Sequence, residues 1–207
     1  MNSAHKDIEF QNNLNKYLPK EFVSYTWDLL KDSGVHFRIV APRKTKLGDF
    51  RAPRPNKNKP EITINGNLNP YAFLITTLHE IAHLNTFKLY RGSVKPHGLE
   101  WKHEFQQLLK PLISEKEFPD NLKRCLINSV KKTKASSCSD IDLSRELRKF
   151  DLSVKTVPLE NILIGESFTL NNKSFKKGKL RRTRYLCREL NSGRNYLIHA
   201  LAEVNSL

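Results

Sequence analysis

Residues 69–92 constrain the fold most, because the start, the periodicity and the stop of one helix all agree there. Asn69 suits a helix cap, and Pro70 fits the first helical position, where its missing N–H costs nothing. Leu74, Ile75, Leu78, Ile81 and Ala82 recur at spacings of three and four, which predicts one buried face. The helix is expected to run to about Tyr90, with Gly92 marking its exit.

Two short helices separated by Pro19 are expected within residues 8–32. Ile8, Leu14 and Leu18 form one apolar stripe, and Phe22, Trp27, Leu29 and Leu30 another. Gly34 is expected to end the second helix in a left-handed cap. Residues 35–41, 47–52 and 61–65 read as strands joined by Pro- and Asn-rich turns. Between Arg43 and Lys59 seven basic residues accompany one acid, Asp49, forming either a substrate-facing rim or a solvated sheet edge. After a loop through Pro96 and Gly98, the spacing of Trp101, Phe105, Leu108, Leu109 and Leu112 predicts another amphipathic helix, ending near Pro111 or shortly after it. Residues 115–150 are polar, with helices expected at 120–132 and 143–150. From about Val154, short alternating strands follow at 168–170, 184–187 and 196–198, with turns at Asn171-Asn172 and Asn191-Ser192-Gly193. The expected fold class is α+β. A core over 1–118 precedes a charged helical connector over 119–153 and a small β-rich module over 154–207.

The long helix carries His79-Glu80-Ile81-Ala82-His83. Residues four apart on a helix share a face, so His79 and His83 can direct two imidazoles at one ion. Glu80 lies one step round, where a carboxylate can take a proton from a water bound to that ion. This is the chemistry of a zinc hydrolase. A catalytic zinc needs a third protein ligand and one open position. The motif with a third histidine six residues on is excluded, because Leu89 stands there. His97 is the favoured third ligand, since a loop residue beside Gly98 can approach a metal closely. Glu100, His103 and Glu104 are its rivals.

The pairing of His79-Glu80-Ile81-Ala82-His83 with Pro96-His97-Gly98-Leu99-Glu100-Trp101 resembles the SprT-like metallopeptidases, the family that includes Spartan. The resemblance covers roughly residues 5–115. It implies a zincin-like peptidase core with His79, His83 and His97 as zinc ligands and Glu80 as catalytic base. It also implies protein substrates, including proteins bound to DNA. Many members follow the core with a four-cysteine zinc ribbon. Here only Cys187 lies in that region, so a second zinc is not expected.

The net charge of +15 suits a polyanionic partner such as nucleic acid or a nucleic-acid-bound protein. Residues 173–188 hold eight Lys or Arg and no acid, with Phe175 and Tyr185 among them. Lys173, Lys176, Lys177, Lys179, Arg181, Arg182 and Arg184 are therefore candidate nucleic-acid contacts, with a merely solvated sheet face as the alternative. No apolar run is long enough to span a membrane, and the N-terminus lacks the apolar stretch of a secretory signal. Cys125, Cys138 and Cys187 are few and far apart, which points to the reducing cytoplasm. The competing reading is a nucleic-acid-binding protein whose zinc is structural or vestigial. A third is a metal-dependent hydrolase of something other than peptide.

Overall fold

In the computed structural model, which describes residues 3–43, 45–55, 58–131, 141–151 and 156–207, the chain divides into two units at residues 151 and 152. The first opens with helices α1 (Ser3–Leu14) and α2 (Val23–Lys31), separated by Pro19 and one 3-10 turn. Leu14, Leu18, Phe22, Val23 and Leu30 are buried, whereas Ile8 is exposed, so the inward stripe begins later than the sequence suggested. Helix α2 stops at Lys31 rather than at Gly34. The Ser33 hydroxyl satisfies that end, donating to Leu30 O at 2.7 Å and accepting from Val35 N at 3.2 Å. Gly34 takes its positive φ of 70° in the turn that follows.

Strands β1 (His36–Val40), β2 (Gly48–Arg51) and β3 (Glu61–Asn65) form a sheet in the order β1-β3-β2. Strand β1 runs parallel to β3, and β2 antiparallel to it. The central strand β3 is buried at every position, including Thr63 and Asn65. Arg43 partners these two polar side chains. It donates to Asn65 Oδ1 at 2.8 Å and Thr63 Oγ1 at 2.9 Å, and Asn65 Nδ2 donates back to Arg43 O and Lys46 O. The segment leading into β2 is thus stapled to the middle of the sheet.

Strand β2 is an edge. Asn65 N donates to Leu47 O at 2.9 Å, and Gly48 and Phe50 lie opposite Ile64 and Ile62. In an antiparallel ladder the hydrogen-bonded positions alternate, so the backbone N–H and C=O of Gly48 and Phe50 point to the free edge.

Helix α3 (Pro70–Tyr90) begins as the sequence predicts, with Asn69 Oδ1 accepting from Ala72 N at 2.9 Å. Asn69 also donates to Leu147 O at 2.8 Å and Asp151 Oδ1 at 2.6 Å, tying this helix start to a distant part of the chain. The exit uses Arg91 (φ 52°) as well as Gly92 (φ 84°). Helix α4 (Leu99–Ser114) continues three residues past Pro111, keeping Leu112 fully buried. Helices α5 (Asp120–Lys131) and α6 (Ile141–Arg148) fall where helices were expected. They belong to the first unit rather than to a connector, because Leu122, Leu126 and Leu143 are buried in the same core as Phe73, Leu78 and Phe105. No described helix is long and apolar enough to cross a membrane.

The second unit is a six-stranded sheet of β4 (Val157–Pro158), β5 (Ser167–Leu170), β6 (Lys173–Arg181), β7 (Arg184–Glu189), β8 (Asn195–His199) and β9 (Glu203–Ser206). Its order is β4-β9-β5-β6-β7-β8. Asn171 and Asn172 both take positive φ in the two-residue turn between β5 and β6, a conformation that asparagine tolerates. The core gathers Leu159, Ile162, Phe168, Phe175, Cys187, Ile198 and Val204. Strand β6, the longest among the described residues, was not among the expected strands. Its alternation is disguised by inward Lys177 and by a register shift between Lys177 and Leu180. A Cβ on Gly178, inside that shift, would stand 2.1 Å from Leu186 O, so only glycine fits the approach.

Candidate metal centre

Helix α3 brings His79 and His83 to one face, one turn apart, and the loop before α4 delivers His97 to them. The three Nε2 atoms form a near-equilateral triangle. His79 and His83 are 3.2 Å apart, His83 and His97 3.0 Å, and His97 and His79 3.1 Å. Ring nitrogens sharing one tetrahedral ion at about 2.0–2.1 Å stand roughly 3.3–3.4 Å apart, so the donor set fits a single cation. These side chains could hold a metal ion, and no other group of three His, Cys, Asp or Glu side chains converges in this way among the described residues.

The loop geometry shows how His97 arrives. Gly98 N donates to Lys95 O at 2.9 Å, closing a four-residue turn with Pro96 second and His97 third. His97 has φ of 56°, a left-handed conformation usually given to glycine or asparagine at that place. Gly98 cannot carry a side chain, since its Cβ would meet Lys95 O at 2.9 Å. Trp101, one turn into α4 and 2% exposed, packs against all three imidazoles with ring centroids 4.6, 5.2 and 4.7 Å away. Phe50 of β2 stacks over His83 with only 9° between the planes.

This apolar enclosure sets the electrostatics. Burial pushes His79 down to about 2, helped by its neighbours His83 and His97. Burial also lowers His83 to about 4, with His97 adding to it, and lowers His97 by itself. All three rings are thereby held neutral, the form that offers a lone pair to a metal. Glu80, also buried, is pushed up to about 8 by desolvation and then by the nearby Asp49 carboxylate. The Phe50 N–H donates to its carboxylate and, with Arg43 and Lys46, acts in the opposite direction. A cation among the histidines would add to that opposing pull. Burial opposes ionisation of Asp49, but hydrogen bonds from Lys46 and Arg51 hold it below its usual range.

The histidines and Glu80 line a cleft of about 560 Å³, shared with Lys46, Asp49, Phe50, Phe87 and Lys95. The rival ligands stay outside the cluster. His103 is exposed, Glu100 does not join, and Glu104 accepts from Asn85 Nδ2 at 3.2 Å. Of the basic stretch at 43–59, Lys46 reaches the cleft, while Lys44 and Lys57 lie outside the described residues. Gly48, Phe50 and Trp101 were not singled out by sequence for a role here. Only Trp101 carried a signal, standing four residues after His97 at the start of an apolar helical stripe.

The candidate nucleic-acid residues do not share one environment. Lys176, Lys179, Arg181, Arg182 and Arg184 are exposed. Lys177 is buried, donating to Glu160 O and Ile162 O with its ammonium 3.8 Å from the centre of the Tyr185 ring. It is a structural cation, and Phe175 is likewise interior, so neither offers itself to a base. Lys173 is paired with Glu189 at 3.0 Å. On the outer face Lys176 lies opposite Arg188, and Arg181 opposite Arg184. Cys187 is a buried free thiol, and Cys138 falls outside the described residues.

No protein-family model matches the chain, and no solved structure matches its fold.

Proposed function

We propose that the chain is a zinc-dependent metallopeptidase of SprT-like type, with a zincin-like core formed by α3, α4 and the three-stranded sheet. One observation carries this reading: three neutral imidazoles converge within 3.2 Å of one another while Glu80 lines the same cleft. Zinc held by His79, His83 and His97 would acidify a water and polarise a carbonyl. Glu80 takes the proton from the attacking water and passes it to the departing amine nitrogen. Trp101 and Phe50 exclude solvent from the histidines and fix their orientation. The free edge of β2 favours a peptide over other substrates, since an extended chain can pair with the outward N–H and C=O of Gly48 and the outward C=O of Phe50, whose N–H is held by Glu80.

The test combines zinc content by mass spectrometry with cleavage of an unfolded protein. Glu80→Gln is expected to retain zinc and to lose cleavage by at least about 100-fold, the usual scale of a general base. Cleavage as fast as the parent's would remove Glu80 from the reaction.

The reading of nucleic acid as a partner is favoured by a separate observation on the second unit. Like charges directly opposite one another across a ladder are destabilising, yet Lys176–Arg188 and Arg181–Arg184 form two such pairs. A polyanion lying across the face relieves both. Binding of an oligonucleotide should weaken steeply with salt, and Lys176→Glu with Arg188→Glu should weaken it further while leaving zinc content unchanged. Binding indifferent to salt and to both substitutions would contradict this partner. If zinc is present without cleavage, the competing reading of a nucleic-acid-binding protein with a structural metal takes precedence.

A further inference from the structure

We propose that Gly48 is a positioning residue for the Glu80 carboxylate, so that the bare backbone of β2 is the seat on which the base lies. The proposal rests on the peptidase reading for its consequence, since Glu80 is the base only there. The seat itself rests on geometry. A Cβ on Gly48 would stand 2.7 Å from Glu80 Oε1, 2.9 Å from Glu80 Cγ and 2.7 Å from Thr76 Cγ2. Real side chains do not approach so closely, and Thr76 and Glu80 are both buried, one turn apart on the same face of α3. The backbone of Gly48 is not left-handed, unlike that of Gly34 or Gly92, so conformation does not demand glycine. Space does.

A second contact acts two residues along. The N–H of Phe50, which faces the free edge of the sheet, donates to the Glu80 carboxylate. The strand cannot drift to make room, because Arg43 and Asn65 fasten the preceding segment to β3. The carboxylate is thus held from below by an absent side chain and from the edge by a main-chain donor. Such support restricts its rotamers before any substrate arrives, which is how a catalytic group is kept in productive geometry.

The test is a double-mutant cycle on Thr76→Ser, which removes the Cγ2 that an alanine at position 48 would meet whatever stands at position 80, read as melting temperature in the presence of chelator, so that it needs neither metal nor activity. Gly48→Ala should lower the midpoint by about 4 °C or more for a chain of this size. In a Glu80→Ala background, where Cγ and the carboxylate are gone, the same substitution should cost less than half as much. If Gly48→Ala alone fails to fold, the double variant should fold. Equal losses in both backgrounds, no loss in either, or a double variant that also fails to fold would overturn the proposal. In the zinc-loaded protein, Gly48→Ala should keep its metal and KM while kcat falls at least tenfold; an unchanged kcat would likewise overturn it. A parent protein that cleaves nothing refutes the peptidase reading, and the melting cycle still decides whether β2 seats Glu80.

Discussion

The Nε2 atoms of His83 and His97 stand 3.0 Å apart, although fourteen positions of chain separate them. A neutral imidazole offers at Nε2 either an N–H or a lone pair, so one pair at that distance could share a hydrogen bond. Among three Nε2 atoms all within 3.2 Å of one another, at least one pair must present like groups and repel. The arrangement therefore makes sense as a cation site, and the left-handed backbone of His97 shows that the loop is strained to achieve it.

Exchanging His97 should separate metal binding from folding. His97→Ala and His97→Gly should each weaken zinc binding by about 100-fold or more, since one of three protein ligands is lost. The two should differ in stability without metal. Glycine relieves a left-handed strain of about 1–2 kcal/mol, which outweighs the cost of about 0.4–1 kcal/mol from its extra freedom in the unfolded chain, whereas alanine keeps the strain. Competition against a chromogenic chelator and melting in chelator read the two effects. An alanine variant more stable than the glycine variant would contradict the strain.

Trp101 should report on the metal. Its ring touches all three imidazoles, so binding of a quenching ion such as Co²⁺ should lower tryptophan fluorescence. Trp101→Phe should abolish most of that response and leave only Trp27, which packs against Phe10. A quench of equal size in the variant would place the ion elsewhere.

Much of the site was legible because its signals are local. Asn69-Pro70, the apolar spacing of α3, and the two histidines one turn apart are written within single helical turns. His97 was reachable through its place beside Gly98. What stayed hidden depends on contacts made across the chain. Nothing near Gly48 in sequence reveals that Glu80 lies on it, and Phe50 meets His83 only because β2 is an edge strand. Helix α5 packs through Leu122, Leu126 and Ser129, a stripe of correct spacing diluted by charged neighbours. In β6 the inward Lys177 reads as surface by composition. Its ammonium is satisfied by backbone carbonyls and a ring, which no local pattern announces.

Asn69 joins the start of α3 to the end of α6, and its loss should be felt by both. Asn69→Ala removes the cap and leaves Leu147 O and Asp151 without its donor, at a combined cost of about 2 kcal/mol. Asn69→Ser retains a capping oxygen and should fall between the two. Urea denaturation measures this. An alanine variant indistinguishable from the parent would show that the cap does not anchor the helix.

Tyr25 gives a dependence on high pH. Its hydroxyl donates to Leu108 O at 2.8 Å, and burial pushes its pKa up from 10.0 to about 12. The folded state thus keeps a proton that the unfolded state loses. Its contribution is fully present below about pH 10 and is lost as pH rises through 10 towards 12. Melting temperatures of the parent should fall across that window, and Tyr25→Phe should flatten the decline. Parallel curves would assign the loss to other groups.

The most direct measurement is anomalous diffraction at the zinc edge from crystals of the zinc-loaded protein. The account predicts one peak bonded to Nε2 of His79, His83 and His97, with no protein atom in the remaining position and the Glu80 carboxylate facing that position. A peak elsewhere, or a fourth protein ligand closing the site, would contradict it.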